Sequence, residues 1–305
     1  MTFTRRNLLQ SSLAGMAIKA LPASAAMDCY VQRLPAAQLF TARNAMMEDP
    51  GKALADLAAN GVREIELYGL TAQNTIFNMP LAAFRDRVAE QGIAMTFAHI
   101  DGSEFDVPAI ARSAEALGIE TVILPVGPGF ITFGETGLLA TPPGNKDEMD
   151  GLVDLLNRLG KEFRREGFLF GYHNHHVEFM PVAGEIPFDY LMWNTDPQYV
   201  RCELDIGWLA LAGVDYLAYL DRYGNRTLSC HLKDFNGKKP ADPGDFLATA
   251  SHLLPPGSGV VNFQAVLERM DYYNIRHGFV EIDNSPSPLE DINSGLTHLS
   301  SLRAC

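Results

Sequence analysis

The chain is short of cysteine, of positive charge and of glycine-rich turns, and each shortage excludes something. Four cysteines in 305 residues are too few and too scattered for a disulfide framework. Cys202 and Cys230 sit in apolar runs of strand type and are expected to be buried thiols, because a free cysteine packs as a small hydrophobe. Cys29 and Cys305 lie near the two ends; an oxidising compartment would permit their pairing, but nothing else in the sequence argues for it. Lysine and arginine number 24 against 37 aspartates and glutamates, a net charge of −13. That balance argues against a nucleic-acid partner and against stable association with an anionic membrane. Gly127-Pro128-Gly129 and Gly257-Ser258-Gly259 are ordinary loop signals. No early strand is followed by the glycine-rich phosphate turn that an open, dinucleotide-binding sheet requires.

What is present begins with the pattern expected of an export signal. Arg5-Arg6 precedes a short apolar run, Leu8–Leu21, and then Pro22-Ala23-Ser24-Ala25-Ala26. A basic start, an apolar stretch and a small-residue exit describe a cleavable leader of the twin-arginine type. The run contains Lys19 and is too short to span a bilayer. Residues 1–26 are therefore expected to be a twin-arginine signal peptide that delivers a mature periplasmic protein. The remaining 27–305 give about 280 residues, a normal length for one closed α/β barrel. Hydrophobic content of 47% and charged content of 20% fit a soluble globular protein.

One unit repeats along this length, with no low-complexity segment and no interdomain linker. Runs of strand type cover Gln38–Ala42, Val62–Leu67, Ile93–Ala98, Thr121–Pro125, Phe168–His173, Val200–Asp205, Thr227–His231 and Gly278–Glu281. Between them lie amphipathic segments at Gly51–Asn60, Leu81–Gln91, Ala109–Leu117, Lys146–Glu166, Phe188–Trp193, Asp215–Tyr223, Phe263–Tyr273 and Pro288–Leu302. Asn60-Gly61, Gln91-Gly92, Leu117-Gly118 and Glu166-Gly167 end helices with a glycine suited to a left-handed cap. Eight strands alternating with eight helices predict a single-domain (β/α)8 TIM barrel with right-handed crossovers.

Chemistry gathers where the later strands end. Phe168-Leu-Phe-Gly-Tyr-His173-Asn-His175-His176-Val-Glu178 breaks from an apolar run into three histidines and a glutamate. Asp205, His231 and Glu281 end the next three runs. Taken singly, each has an ordinary explanation as a cap, a loop residue or a packed histidine. Taken together, they converge on one barrel mouth, ~10–15 Å across. Carboxylates so close would repel without a cation or protons between them, and imidazole with carboxylate is the ligand set of a divalent metal.

The chain resembles the xylose-isomerase-like group of sugar isomerases and epimerases, which share a barrel with endonuclease IV. The resemblance rests on Gln38-Leu-Phe-Thr-Ala-Arg43, Tyr172-His-Asn-His-His-Val-Glu-Phe179, Leu204-Asp-Ile-Gly-Trp208, Ala212-Gly-Val-Asp215, His231-Leu-Lys-Asp234, Gly257-Ser-Gly-Val-Val-Asn-Phe263 and Val280-Glu-Ile-Asp283. It is nearest to an exported branch similar to enzymes of 3-keto sugars and 3-keto glycosides. It implies one divalent metal held from strands five to eight, with Asp205, His231 and Glu281 as three ligands. Glu178 and His173 compete for the fourth place. Glu178 is preferred because a third carboxylate stabilises a dication more than a neutral imidazole does, and it suits Mn or a similar hard-to-borderline ion; His173 would favour Zn, Co or Mn, so the metal is expected to be Mn, Co, Zn or Mg. Trp208 stands where many epimerases carry a substrate-binding histidine, and offers a stacking face for a sugar ring. The further metal-binding histidines and the basic surface of an endonuclease are not evident.

The implied reaction starts by removing a proton beside the carbonyl of a keto-sugar, through a metal-stabilised enediolate. Isomerisation, epimerisation and elimination all branch from that intermediate. Glu281 is expected to be both ligand and base. His173 and His175, two apart and so on one side of an extended strand, are candidate acid/base groups. Lys233 is a candidate oxyanion partner, and Tyr68 and His99 are candidate contacts to a small carbohydrate substrate. The competing readings are an exported sugar-binding protein without turnover and a metal-dependent hydrolase.

Overall fold

The computed structural model describes residues 35–302 apart from 104, 135 and 136. The arginine pair, the Ala-x-Ala exit, Cys29 and Cys305 lie outside the described residues. Eight strands form the barrel: β1 (Ala36–Gln38), β2 (Glu64–Leu70), β3 (Ala94–Ile100), β4 (Thr121–Leu124), β5 (Leu169–His173), β6 (Arg201–Asp205), β7 (Thr227–Leu232) and β8 (His277–Val280). Each runs parallel to the strand before and after it, and β8 closes on β1. A parallel strand cannot be reached by a tight turn, so a helical crossover separates each pair.

Those crossovers follow the apolar periods of the sequence. The longest helix, Lys146–Arg165, buries Met149, Leu152, Val153, Leu156, Leu159 and Phe163, which recur at helical spacing along one face. Burial of each large apolar side chain is worth roughly 1.5–3 kcal/mol. Asn145 caps the first turn by accepting from Glu148 N–H. Asp147 and Glu148 at the start and Arg164 and Arg165 at the end complement the helix dipole. Gly118 ends helix Val107–Leu117 with φ 80, a conformation that penalises any residue with a Cβ.

The first strand is shorter and earlier than the sequence pattern suggests. It stops at Gln38, and Leu39–Ala42 form a 3-10 turn instead of continuing the strand. The Gln38 side chain accepts the Phe40 N–H, and the turn buries Leu39 and Ala42. Arg43 then donates to the carbonyls of Phe40 and Asp283, and Ile282 N–H donates to Thr41. This Gln38–Arg43 block therefore fastens the barrel seam where β1 meets β8.

Other features lie outside the predicted alternation, and three of them bear on the site. Helix Ile206–Ala212 follows β6 directly. Helix Phe246–Ala250 lies in the long segment after β7. A hairpin, Ile131–Gly134 with Gly137–Ala140, follows β4. The lower interior of the barrel is closed by a small apolar layer of Ala36, Phe97, Ile123 and Phe279, with Leu228 against it. Cys202 and Cys230 are fully buried. No helix among the described residues is long and apolar enough to cross a membrane.

Candidate functional site

Alternate residues of a strand face the same way, so each barrel strand presents a column of side chains to the interior. On β6 the column is Glu203 and Asp205, on β7 Ser229 and His231, and beyond β8 Glu281 and Asp283. Glu66 of β2, His99 of β3 and His173 of β5 face them. All nine are buried. Lys233, just past β7, is also completely enclosed. Its stem passes where Gly207 has no side chain: a Cβ at Gly207 would lie 2.2 Å from Lys233 Cγ.

The charges occupy two levels joined by one imidazole. Below, His231 Nε2 lies 2.6 Å from Glu66 Oε2 and 3.1 Å from Glu203 Oε1. Above, its Nδ1 lies 2.7 Å from Glu281 Oε2 and 3.7 Å from Asp205 Oδ2. Glu203 is the hub of the lower level. Its Oε1 also meets His99 Nε2 at 2.7 Å and His173 Nδ1 at 3.0 Å, while Ser229 donates to Oε2. Gln38 donates to Glu66 Oε2 at 2.9 Å. Glu203 sits at a register shift of the β6–β7 pairing, a common device for re-aiming a side chain beside a site. On the upper level Lys233 Nζ donates to Glu281 at 2.6 Å and to Asp283 at 2.7 Å, and lies 2.8 Å from Asp205 Oδ2.

Crowding and burial set the protonation states. Burial and then the neighbouring Glu203 raise Glu66 to about 7. Burial raises Asp205 to about 6 despite Lys233. Burial would lower His231, but Glu203, Glu281 and Glu66 outweigh it and hold the ring well above the usual histidine range. Burial also opposes Lys233, and Asp205, Asp283 and Glu281 overcome it, so the ammonium is firmly charged. Burial and then the neighbouring His231 lower His173 to about 3. Burial, His173 and Lys233 hold His175 far down, so both rings are neutral.

A divalent cation fits the donor set if it takes the place of a His231 proton, because a ligating imidazole nitrogen is unprotonated. Asp205, His231 and Glu281 each offer a ligand atom within 4.8 Å of the others. Asp205 Oδ2, although beside Lys233, accepts no aligned hydrogen bond. A cation there would share both carboxylates with Lys233. His99, His173, Glu203 and His231 form a second group of the same compactness, with His231 common to both.

The structure brings together Asp205, His231, Glu281, His173, His99 and Lys233, but places Glu178 and Trp208 elsewhere. Glu178 belongs to neither group of potential ligands. The 3-10 turn Val177–Phe179 directs its carboxylate to Tyr172, whose hydroxyl donates at 2.7 Å, and to the His175 N–H at 3.0 Å. Tyr172 in turn accepts Gly127 N–H at 3.0 Å. Glu178 therefore braces the loops around the mouth, and burial raises it to about 7. Trp208 offers no face to a sugar, because it is fully buried. His176 and Phe246 stack on it, and Lys233 Nζ lies 5.7 Å from its ring centre. It supports the wall from behind.

A cavity of about 320 Å³ opens at this level. Tyr68, His99, His173, His175, Glu281 and Asp283 form its polar side. Glu66, Glu203 and Asp283, with Ser229 beside Glu203, are site residues that no strand-end pattern marks. Their signal was present: Glu66 interrupts an apolar run at strand spacing, Glu203 stands two before Asp205, and Asp283 two after Glu281. Asp234 of the His-Leu-Lys-Asp block has a different task. It accepts the N–H groups of Phe235, Gly257, Gly259 and Val261 and so folds the loop before helix Phe263–Tyr272.

Comparison with known proteins agrees with this architecture. An inosose dehydratase of Geobacillus thermodenitrificans is 34% identical over 153 residues, covering 48% of this chain and 51% of that protein. The chain spans about half the length of the curated relatives it matches. A sugar phosphate isomerase/epimerase from Parabacteroides distasonis superposes with a TM-score of 0.71 at 21% identity, covering 88% of this chain and 98% of that one. A D-allulose 3-epimerase from Methylomonas sp. gives a TM-score of 0.60 at 15% identity, with 90% and 99% covered. At these identities the superpositions establish the fold. Residues 54–302 match the family model described as xylose isomerase-like TIM barrel, and the chain belongs to that family.

Proposed function

We propose that this protein is a divalent-metal-dependent enzyme of keto-sugars or 3-keto glycosides, which begins by removing a proton from the carbon beside a carbonyl. The observation that carries the reading is the double position of Glu281. It belongs to the ligand cluster with Asp205 and His231, and it also lines the cavity. A divalent cation in that cluster (Mn, Co, Zn or Mg) would polarise the carbonyl and adjacent hydroxyl oxygens. Lys233 holds the Glu281 carboxylate ionised against the effect of burial, so it meets the substrate in the unprotonated form that a base needs. His173 and His175, neutral and facing the cavity, are placed to return or relay one. Lys233, enclosed behind Glu281 and Asp283, sets positive charge against their carboxylates at the cavity edge. Tyr68 and His99 complete the polar side for substrate hydroxyls. Likeness to proteins named inosose dehydratase favours elimination as the outcome over simple isomerisation.

The test is turnover of a panel of 3-keto glycosides, cyclic polyol ketones and free ketoses in deuterated water. Deuterium should enter at the carbon beside the carbonyl, and EDTA should abolish the exchange. Turnover without exchange or isotope effect at that carbon would replace this reading with metal-assisted hydrolysis. Export by the twin-arginine route belongs to the same proposal. It rests on Arg5-Arg6 and the Ala-x-Ala exit, and a precursor with both arginines changed to lysine should stay in the cytoplasm.

A further inference from the structure

The cavity has two chemical characters, and only one suits a sugar. Its polar side comes from the strand ends. Most of the remainder comes from insertions: Pro125 and Val126 after β4, Ile131, Phe133 and Leu138 of the hairpin, and Phe246 of the later short helix, with Phe40, Gly69 and Ile100 of the barrel completing it. These insertions are fastened into one wall. Leu139 bridges to Asp245, and Ala140 N–H donates to the Gly244 carbonyl at 2.9 Å. Gly127 is tied through Tyr172 and Glu178 to the loop carrying His175, so the wall is anchored to the polar side.

Aliphatic side chains give no partner to a hydroxyl. A sugar hydroxyl pressed against Val126, Ile131 or Leu138 would lose water without replacement. A free keto-sugar or cyclic polyol ketone carries hydroxyls around its whole rim and matches only half of this cavity. From the continuity of the apolar wall with the catalytic end we infer that the substrate is a keto-glycoside bearing a compact apolar aglycone, held with its keto ring among the histidines and its aglycone against the hairpin wall. The volume of about 320 Å³ lies at the small end of the roughly 300–1,000 Å³ typical of ligand pockets. It suits one sugar ring with one small apolar group, and not an oligosaccharide.

This inference rests on the enolisation reading above and gives it a direction. In a 3-keto glycoside the C2–H bond breaks and its proton passes to the base. The electron pair forms a C1–C2 double bond, and the C1–O bond breaks with its pair going to the aglycone oxygen. That oxygen takes up a proton and leaves as an alcohol, so no oxidant or reductant is consumed.

The experiment uses the metal-replete protein with benzyl, methyl and 2-hydroxyethyl 3-keto-glucosides, a free 3-keto-glucose and a cyclic polyol ketone, read as kcat/KM with deuterium exchange. The three leaving alcohols differ little in acidity, so a preference among them reports the wall. The benzyl glycoside should exceed the other two by about tenfold or more. That ratio should fall several-fold in Phe133→Ser and Leu138→Ser. Phe133 is 91% exposed, so its replacement does not threaten the fold, and the thermal transition of each variant checks this. Equal or better use of the hydroxyethyl glycoside, the free sugar or the cyclic ketone, or an unchanged ratio in both folded variants, overturns the aglycone inference and leaves the enolisation reading standing. Absence of exchange with every keto compound overturns the enolisation reading itself.

Discussion

Phe97 and His99 stand two residues apart on β3, and Phe279 and Glu281 stand two apart at the end of β8. One step along the same face of each strand leads from an apolar plug to a buried network of carboxylates, imidazoles and one ammonium. The two layers are held by different physics. The lower layer gains from removing apolar surface from water. The upper layer loses hydration on every charge and is tolerable only because each has a partner of opposite sign or a hydrogen bond. A barrel interior therefore needs no special shape to become a site. It needs polar residues at the inward positions nearest the carboxyl ends, and enough partners among them.

The strongest break in the comparison is at the shared ligands. Asp205→Ala, His231→Ala and Glu281→Ala should each lose bound metal, measured as metal per chain, and lose activity by more than about a hundredfold, beyond the roughly 10–100-fold typical of outer partners. Full metal occupancy in all three would relocate the site. In the lower layer, Phe279→Ala should cost about 3–5 kcal/mol in denaturant unfolding while metal stoichiometry stays at the wild-type value. A parallel loss of metal would mean that the layers are not separable. Between them stands Glu66, whose carboxylate fixes His231 through Nε2. Glu66→Ala should weaken metal binding by about 10–100-fold in calorimetric titration, and an unchanged affinity would deny it that orienting role.

Glu178→Ala sharpens the comparison with the smallest expected effect on the metal. It strands the Tyr172 hydroxyl and the His175 N–H, each worth roughly 1–3 kcal/mol when buried without a partner. The unfolding midpoint should fall while metal affinity is kept. Metal loss without destabilisation would return Glu178 to the ligand set.

The repeat of eight strands and eight helices was legible in the sequence because alternation and helical period are local properties. The helix Lys146–Arg165 begins on the expected residue, and the strand-end residues Asp205, His231 and Glu281 do converge. Tertiary structure decided what local pattern cannot carry. Glu178 is three residues from His175 in the chain, yet a single 3-10 turn sends it to Tyr172. Trp208 looks like an open stacking face beside Asp205, until helix Ile206–Ala212 forms and His176 and Phe246 cover the indole. Glu66 and His231 are 165 residues apart in sequence and 2.6 Å apart in space. Strand periodicity fixes which face of its own strand a side chain joins. Barrel closure alone chooses which other strands it meets, and the charge on each buried group follows from those meetings.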